Sequence, residues 1–209
     1  MTEVWFIRHG ESAANAGLAT ANPAEIPLTD RGHEQARKVS EAFDRAPDLI
    51  ATSSYQRAIT TASYTIARFP DAPVESWNTH EFNYLSLMGP STYGERLPMT
   101  RAYWEKCDPT FIHGEGAESF AQFVERVSAM QEKIRQRDDK FIAIFGHGFM
   151  MKTMLWGNLI GSFDVTREYM RRFHAYNKTF EIENGTIIKA EYKTNMVLLS
   201  GLLTNHLGT

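Results

Sequence analysis

Short, wholly apolar segments separated by stretches of helical periodicity predict an α/β fold. The expected form is a three-layer α/β/α sandwich around a mostly parallel sheet. Three observations carry this. Val4-Trp5-Phe6-Ile7 and Phe141-Ile142-Ala143-Ile144-Phe145 are apolar at every position, as strands covered on both faces must be. Helical spacing follows the apolar runs, as crossover connections require. Both runs end in a His-Gly pair, His9-Gly10 and, after Gly146, His147-Gly148.

The first run closes on Arg8-His9-Gly10-Glu11-Ser12. Residues 13–28, rich in Ala, Asn, Pro and Gly, read as a loop. Thr29 caps a helix running from Asp30 to about Arg45, with Ala36, Val39 and Phe43 on one face and Asp30 at its positive end. Asp48–Thr52 is a second short strand, and Ser53 or Ser54 then caps a helix carrying Ala58, Ala62 and Ile66. Val74 falls in a third strand.

Residues 82–118 mix Gly, Pro, Tyr and Arg without a clean period and read as loops and short helices, an insertion roofing the core. Their aromatic content argues against disorder. Ser119 and Gln122 form a capping box for a helix with Phe120, Phe123, Val124, Val127 and Ile134 at helical spacing. The strand at 141–145 leads into an apolar helix through Met151, Met154 and Leu155. Phe180–Ile188 reads as a hairpin with a type I′ turn at Asn184-Gly185. The apolar tail 194–209 packs on the core or at a homodimer interface. The whole, 1–209, is expected to be a single domain with 82–118 as its cap.

Composition narrows the function. The 209 residues are 43% hydrophobic, enough for a substantial core, and the net charge of −3 argues against nucleic-acid or anionic-membrane partners. The single cysteine, Cys107, can form no internal disulfide. Arg8, His9 and Glu11 interrupt the first apolar run too early for a signal peptide, and no stretch approaches a membrane span. A cytoplasmic location is expected.

In open α/β sheets ligands bind beyond the carboxyl ends of the strands. That rule gathers Arg8, His9, Arg57, Glu81 and His147 at one edge. Glycines 10, 146 and 148 are expected to allow close backbone approach and positive φ there. Each residue alone is ordinary, since a lone Arg near a helix start is usually solvated. Together, two arginines and two histidines repel one another unless an anion sits among them, and guanidinium forks match phosphate oxygens. A neutral imidazole in that setting can attack phosphorus, and a carboxylate can give and then take a proton. His80 and His113 lack metal-ligand spacing, so no metal and no cofactor is expected.

At this point the chain resembles the histidine phosphatase, or phosphoglycerate mutase-like, superfamily. Ile7-Arg8-His9-Gly10-Glu11-Ser12 resembles its signature, and Phe145-Gly146-His147-Gly148 its second histidine motif. Leu28-Thr29-Asp30-Arg31-Gly32, Ser53-Ser54-Tyr55-Gln56-Arg57-Ala58, and Gly116-Ala117-Glu118-Ser119 with Arg126 resemble its intervening segments. Asn177-Lys178-Thr179 resembles the asparagine preceding its last strand. The resemblance implies His9 as phosphorylated nucleophile, with Arg8, Asn15, Arg57 and His147 on the phosphoryl group. Glu81 would be the acid and base, and no metal would be needed. The cap would choose the substrate, with Tyr84, Arg96 and Arg101 as candidates. The arginine-rich stretch of the mutases is absent, leaving Arg96, Arg101 and Lys106. A phosphomonoester hydrolase acting on a small organic phosphate is therefore expected. The alternatives are a phosphomutase and a non-catalytic phospholigand-binding protein.

Overall fold

Thr2–Arg8 form strand β1, and its alternate side chains divide between two cores. Val4 and Phe6 point into one and Trp5 and Ile7 into the other, all almost fully buried. This double burial explains why no polar residue interrupts the run. The structure is a computed structural model and describes residues 1–194 and 196–208.

The remaining elements are α1 (Asp30–Glu41), β2 (Leu49–Ser53), α2 (Gln56–Arg68), β3 (Val74–Trp77), α3 (Tyr93–Lys106), α4 (Phe120–Arg135), β4 (Phe141–Gly146), α5 (Gly148–Ile160), α6 (Arg167–Asn177), β5 (Ile187–Lys193) and β6 (Met196–Leu199). The six strands lie in the order β3-β2-β4-β1-β5-β6. The first four pair in parallel; β5 and β6 run antiparallel. Val39, Phe43 and Ala62, from α1, the turn after it and α2, cover the Trp5 face; α4, α5 and α6 cover the other, which makes three layers.

Several boundaries differ from expectation. Helix α1 ends at Glu41 rather than near Arg45, because the Ala42 N–H is shared between the Lys38 and Val39 carbonyls and the Phe43 N–H reaches only i−3, at Ser40; Phe43 stays buried beyond the helix. Tyr55, not Ser53 or Ser54, caps α2, and it makes no side-chain cap bond. Ser53 is engaged elsewhere, as described below. In the cap, a 14-residue helix, α3, replaces the expected short pieces. Thr92 and Glu95 form its capping box, while Pro98 in its interior and Gly94 near its start hide the helical signal. Its Tyr103 and Trp104 join the main core.

The expected hairpin at 180–188 is absent. Only Ile187 and Ile188 are in a strand, and Asn184 does not have the positive φ that a type I′ turn needs. Instead, Gly185, at φ +80°, donates its N–H to the Arg8 carbonyl at 3.1 Å, so this segment lies across the end of β1. The tail packs on the core through β6 and Leu207, while Asn195 and Thr209 lie outside the described residues. Among the described residues no helix is long and apolar enough to cross a membrane.

Candidate active site

Strand register brings the two histidines together. Arg8 of β1 is level with Gly146 of β4, so His9 and His147 leave the sheet side by side. The His9 N–H donates to the Gly146 carbonyl at 3.1 Å, and the two rings lie 5.1 Å apart. The strands deliver these side chains at positions nearly 140 residues apart in the chain.

Glycine has a different role here than expected. Gly10, Gly146 and Gly148 all have ordinary negative φ. Gly10 is required by contact: a Cβ there would lie 2.3 Å from the Gly32 carbonyl oxygen, and one on Gly32 would lie 2.0 Å from that of Glu11. The loop after β1 thus packs backbone to backbone on the first turn of α1. The Thr29 hydroxyl, which caps α1, also donates to Glu11 Oε1 at 2.8 Å.

His9 is buried and held in one tautomer. Its Nδ1 donates to the Gly10 carbonyl at 2.6 Å, leaving a lone pair on Nε2, where Arg57 Nε donates at 3.1 Å. Burial, then the charges of Arg57 and Arg8, hold its pKa well below the free-imidazole value of 6.5. His147 is depressed likewise, first by burial and then by Arg57. Ser53 Oγ accepts the Tyr55 N–H and lies 2.9 Å from His147 Nε2. With the hydroxyl proton directed to Nε2, the imidazole proton sits on Nδ1, which is buried and has no partner.

The arginines are anchored at one end. Arg8 Nη1 donates to the Ile182 carbonyl, while its Nε is buried without a partner. Arg57 Nη1 donates to the Pro23 carbonyl at 2.6 Å. Burial lowers the pKa of both, Arg57 to about 10, so both remain cationic at neutral pH. Asn15 Oδ1 accepts from the Ser12 N–H, the Ser12 hydroxyl and Asn184 Nδ2, which leaves the Asn15 amide nitrogen for the cavity. Unmatched buried donors this close together mark a place for an anion.

Glu81 borders the same cavity. Its Oε2 accepts the Phe149 N–H in the first turn of α5 at 3.2 Å, and its Oε1 accepts the Phe82 N–H at 3.1 Å. Arg126 fixes the backbone behind it: this guanidinium grips Glu118 through two bonds, at 2.6 and 2.9 Å, and donates to the carbonyls of His80 and Glu81. The Gly-Ala-Glu-Ser segment and Arg126 thus form a brace for Glu81.

The cavity measures about 830 Å³. Arg8, His9, Asn15, Arg57 and Glu81 line one end, Tyr84 and Arg96 the other; His147 lies just behind His9, and Arg101 is exposed on α3 away from the cavity. His80 Nε2 sits 3.8 Å from Glu118, and His113 Nδ1 accepts the Ser86 N–H.

Two residues escaped sequence reasoning. Asn184 donates to the His9 carbonyl at 3.0 Å as well as to Asn15. It stands shortly before β5, the place expected of Asn177, which instead ends α6. Lys152, nearly buried, donates to the carbonyls of Asn177 and Phe180 and so pins the segment that holds Arg8. Asn-Gly before an apolar run was the available signal for Asn184; it reads equally as a turn.

Several known proteins are similar to this chain. The chain is 29% identical over 167 residues to the adenosylcobalamin/alpha-ribazole phosphatase of Escherichia coli K12, covering 76% of this chain and 79% of that one. A 2,3-bisphosphoglycerate-dependent phosphoglycerate mutase of Thermobifida fusca is 34% identical over 95 residues, covering 43% of this chain and 38% of that one. The alpha-ribazole phosphatase structure from Shigella flexneri superposes with a TM-score of 0.74 at 24% identity, covering 96% of each chain. Phosphoserine phosphatase from Entamoeba histolytica, solved with 3-phosphoglyceric acid, gives 0.73 at 21% identity, covering 99% of this chain and 100% of that one. The profile of the histidine phosphatase superfamily (branch 1) matches residues 4–194, nearly the whole chain, and the chain belongs to that superfamily.

Proposed function

We propose that this protein hydrolyses phosphomonoesters of small organic alcohols through a phosphohistidine on His9. The observation that carries the reading is the His9 tautomer: Nδ1 holds the proton, so Nε2 carries the lone pair, which accepts from Arg57 Nε, while Arg8 Nε and His147 Nδ1 nearby are buried without partners.

His9 Nε2 attacks phosphorus as the bond to the ester oxygen breaks, and Glu81 gives its proton to the departing alkoxide. Arg8, Arg57, Asn15 and His147 hold the equatorial oxygens, where charge concentrates in the transition state. Water then attacks the phosphohistidine and loses its proton to Glu81, the P–N bond breaks, and inorganic phosphate leaves. The two guanidinium groups supply the positive charge that a metal provides in other phosphoryl-transfer sites. A phosphatase at 29% identity over 76% of the chain and a mutase at 26% over 73% match over similar lengths, so the preference for hydrolysis rests on the insertion, which lacks the arginine-rich stretch of the mutases.

The test is phosphate release from a panel of monoesters in the presence of chelator, by wild type and His9→Ala in parallel. The expected outcome is turnover by wild type, an acid-labile phosphoenzyme after rapid quench, and a loss of about 10⁴-fold or more in the variant. Undiminished turnover by His9→Ala would overturn the assignment.

A further inference from the structure

Among the cations that line the cavity, a buried nitrogen without a partner belongs to Arg8, beside His9. Two of the other cations in the lining, Lys152 near Arg8 and Arg96 on α3, are already engaged. Lys152 Nζ donates to the Asn177 carbonyl at 2.7 Å and the Phe180 carbonyl at 2.5 Å. Arg96 donates through Nε to Ser91 Oγ at 3.0 Å, and through Nη2 to Thr20 O at 2.6 Å, Thr20 Oγ1 at 2.8 Å and the Ser91 carbonyl.

The geometry of Arg96 matters more than its charge. A guanidinium presents two bidentate edges, Nε with Nη2 and Nη1 with Nη2, and both need Nη2. With Nη2 committed to Thr20 and Ser91, Arg96 cannot clasp a carboxylate or a second phosphate by either edge. It ties the 13–28 loop to the cap instead, beside the paired backbone bonds of Thr20 and Ser91. The last cation, Lys178, is exposed at the mouth, where water screens an ion pair, and the exposed Glu181 lines the same cavity. Leu18, Leu87, Tyr84, Phe149 and Phe180 give the cavity a largely apolar and aromatic wall, beside the uncharged polar side chains of Asn83, Thr100 and Asn177. A cavity of about 830 Å³ leaves room there for a body well beyond a three-carbon acid.

We propose that the leaving group is an uncharged alcohol with an apolar or aromatic ring body, and that the site selects against phosphorylated acids and bisphosphates. A carboxylate placed in the far half of the cavity loses its water, meets no free fork, and faces Glu181. A flat neutral ring meets Tyr84, Phe149 and Phe180. This rests on the hydrolase reading for the orientation of the ester, with phosphate at His9.

The experiment uses two matched pairs. Phenyl phosphate and 4-carboxyphenyl phosphate are compared as substrates; benzylphosphonate and 4-carboxybenzylphosphonate, which cannot turn over, are compared by calorimetric binding to the wild-type protein. The expected result is a preference of tenfold or more for the uncharged member in both kcat/KM and Kd. Equal or better use of the carboxylated member in either pair overturns the selectivity. If neither ester is hydrolysed, the hydrolase reading fails, and the phosphonate pair still decides the selectivity by itself. A Leu87→Arg variant adds a fork to the apolar wall and is expected to shift the ratio toward the carboxylated phosphonate by fivefold or more; an unchanged ratio with folding intact would mean that this wall does not meet the substrate.

Discussion

The two ends of the cavity are built on different principles. At the phosphoryl end, Arg8, His9 and His147 stand on or just past neighbouring central strands, and each is fixed by hydrogen bonds to backbone or to buried side chains. At the far end, Tyr84 and Phe180 come from segments with no regular structure and Arg96 from α3, whose Thr100 and Arg96 bond to Tyr84 and to Thr20 of the 13–28 loop. The difference teaches where rigidity is required. Catalysis needs donors held within a fraction of an ångström of the developing charge, and a sheet supplies that. Choice among leaving groups needs shape and polarity, which loops can vary without disturbing the strands.

That contrast can be broken most sharply through the brace behind Glu81. Arg126→Leu leaves Glu118 without its bidentate partner and releases the carbonyls of His80 and Glu81, so kcat should fall about 10²-fold with little change in KM. An equal fall for esters with good and poor leaving groups would count against Glu81 as the proton donor. Asn184→Ala removes two bonds, to His9 O and Asn15 Oδ1, and should cost about tenfold in kcat/KM; Asn184→Asp, which keeps the shape but not the donor, should lose as much. At the far end, Arg96→Leu unties the 13–28 loop from the cap. It should raise KM about threefold and leave kcat within about twofold, since the bonds lost hold the wall of the cavity to the 13–28 loop and none reaches the phosphoryl end.

The smallest effect is electrostatic. His9 and His147 should stay predominantly neutral at pH 6.5 by imidazole nitrogen NMR, where a free imidazole is about half protonated. The sign for stability follows. The folded pKa values are depressed, so the unfolded chain takes up protons first as the medium acidifies. This contribution is whole above about pH 6.5 and is lost as pH falls from there toward the depressed folded values. Midpoint denaturation measured between pH 8 and 5 should decline accordingly, and less so in a variant lacking His147.

The same contrast accounts for what could be read from the sequence. The central strands were legible because burial on both faces forbids polar residues, and the residues after them were legible because charge following such a run needs a reason. Arg57 and Glu81 followed from the same rule of strand ends. Helix α3 was not legible: Pro98 and Gly94 speak locally against a helix, and only the packing of Tyr103 and Trp104 into the core overrides them. Asn184-Gly185 was read by its local preference as a hairpin turn, whereas its partners are Arg8, His9 and Asn15, far away in sequence. Arg101 illustrates the converse: composition placed it in the cap, but the helix directs it to solvent.

The position of β1 in the sheet has a consequence for how the molecule is made. Its two neighbours are β4 and β5, at 141–146 and 187–193, so the strand bearing Arg8 is synthesised long before either. At about 5–20 residues per second it waits on the order of ten seconds for its partners, carrying an unpaired apolar edge. His9, the proposed nucleophile, therefore gains its neighbour His147 only when the late strands arrive. Until then the growing polypeptide carries an aggregation hazard in β1, where a chaperone has most to protect.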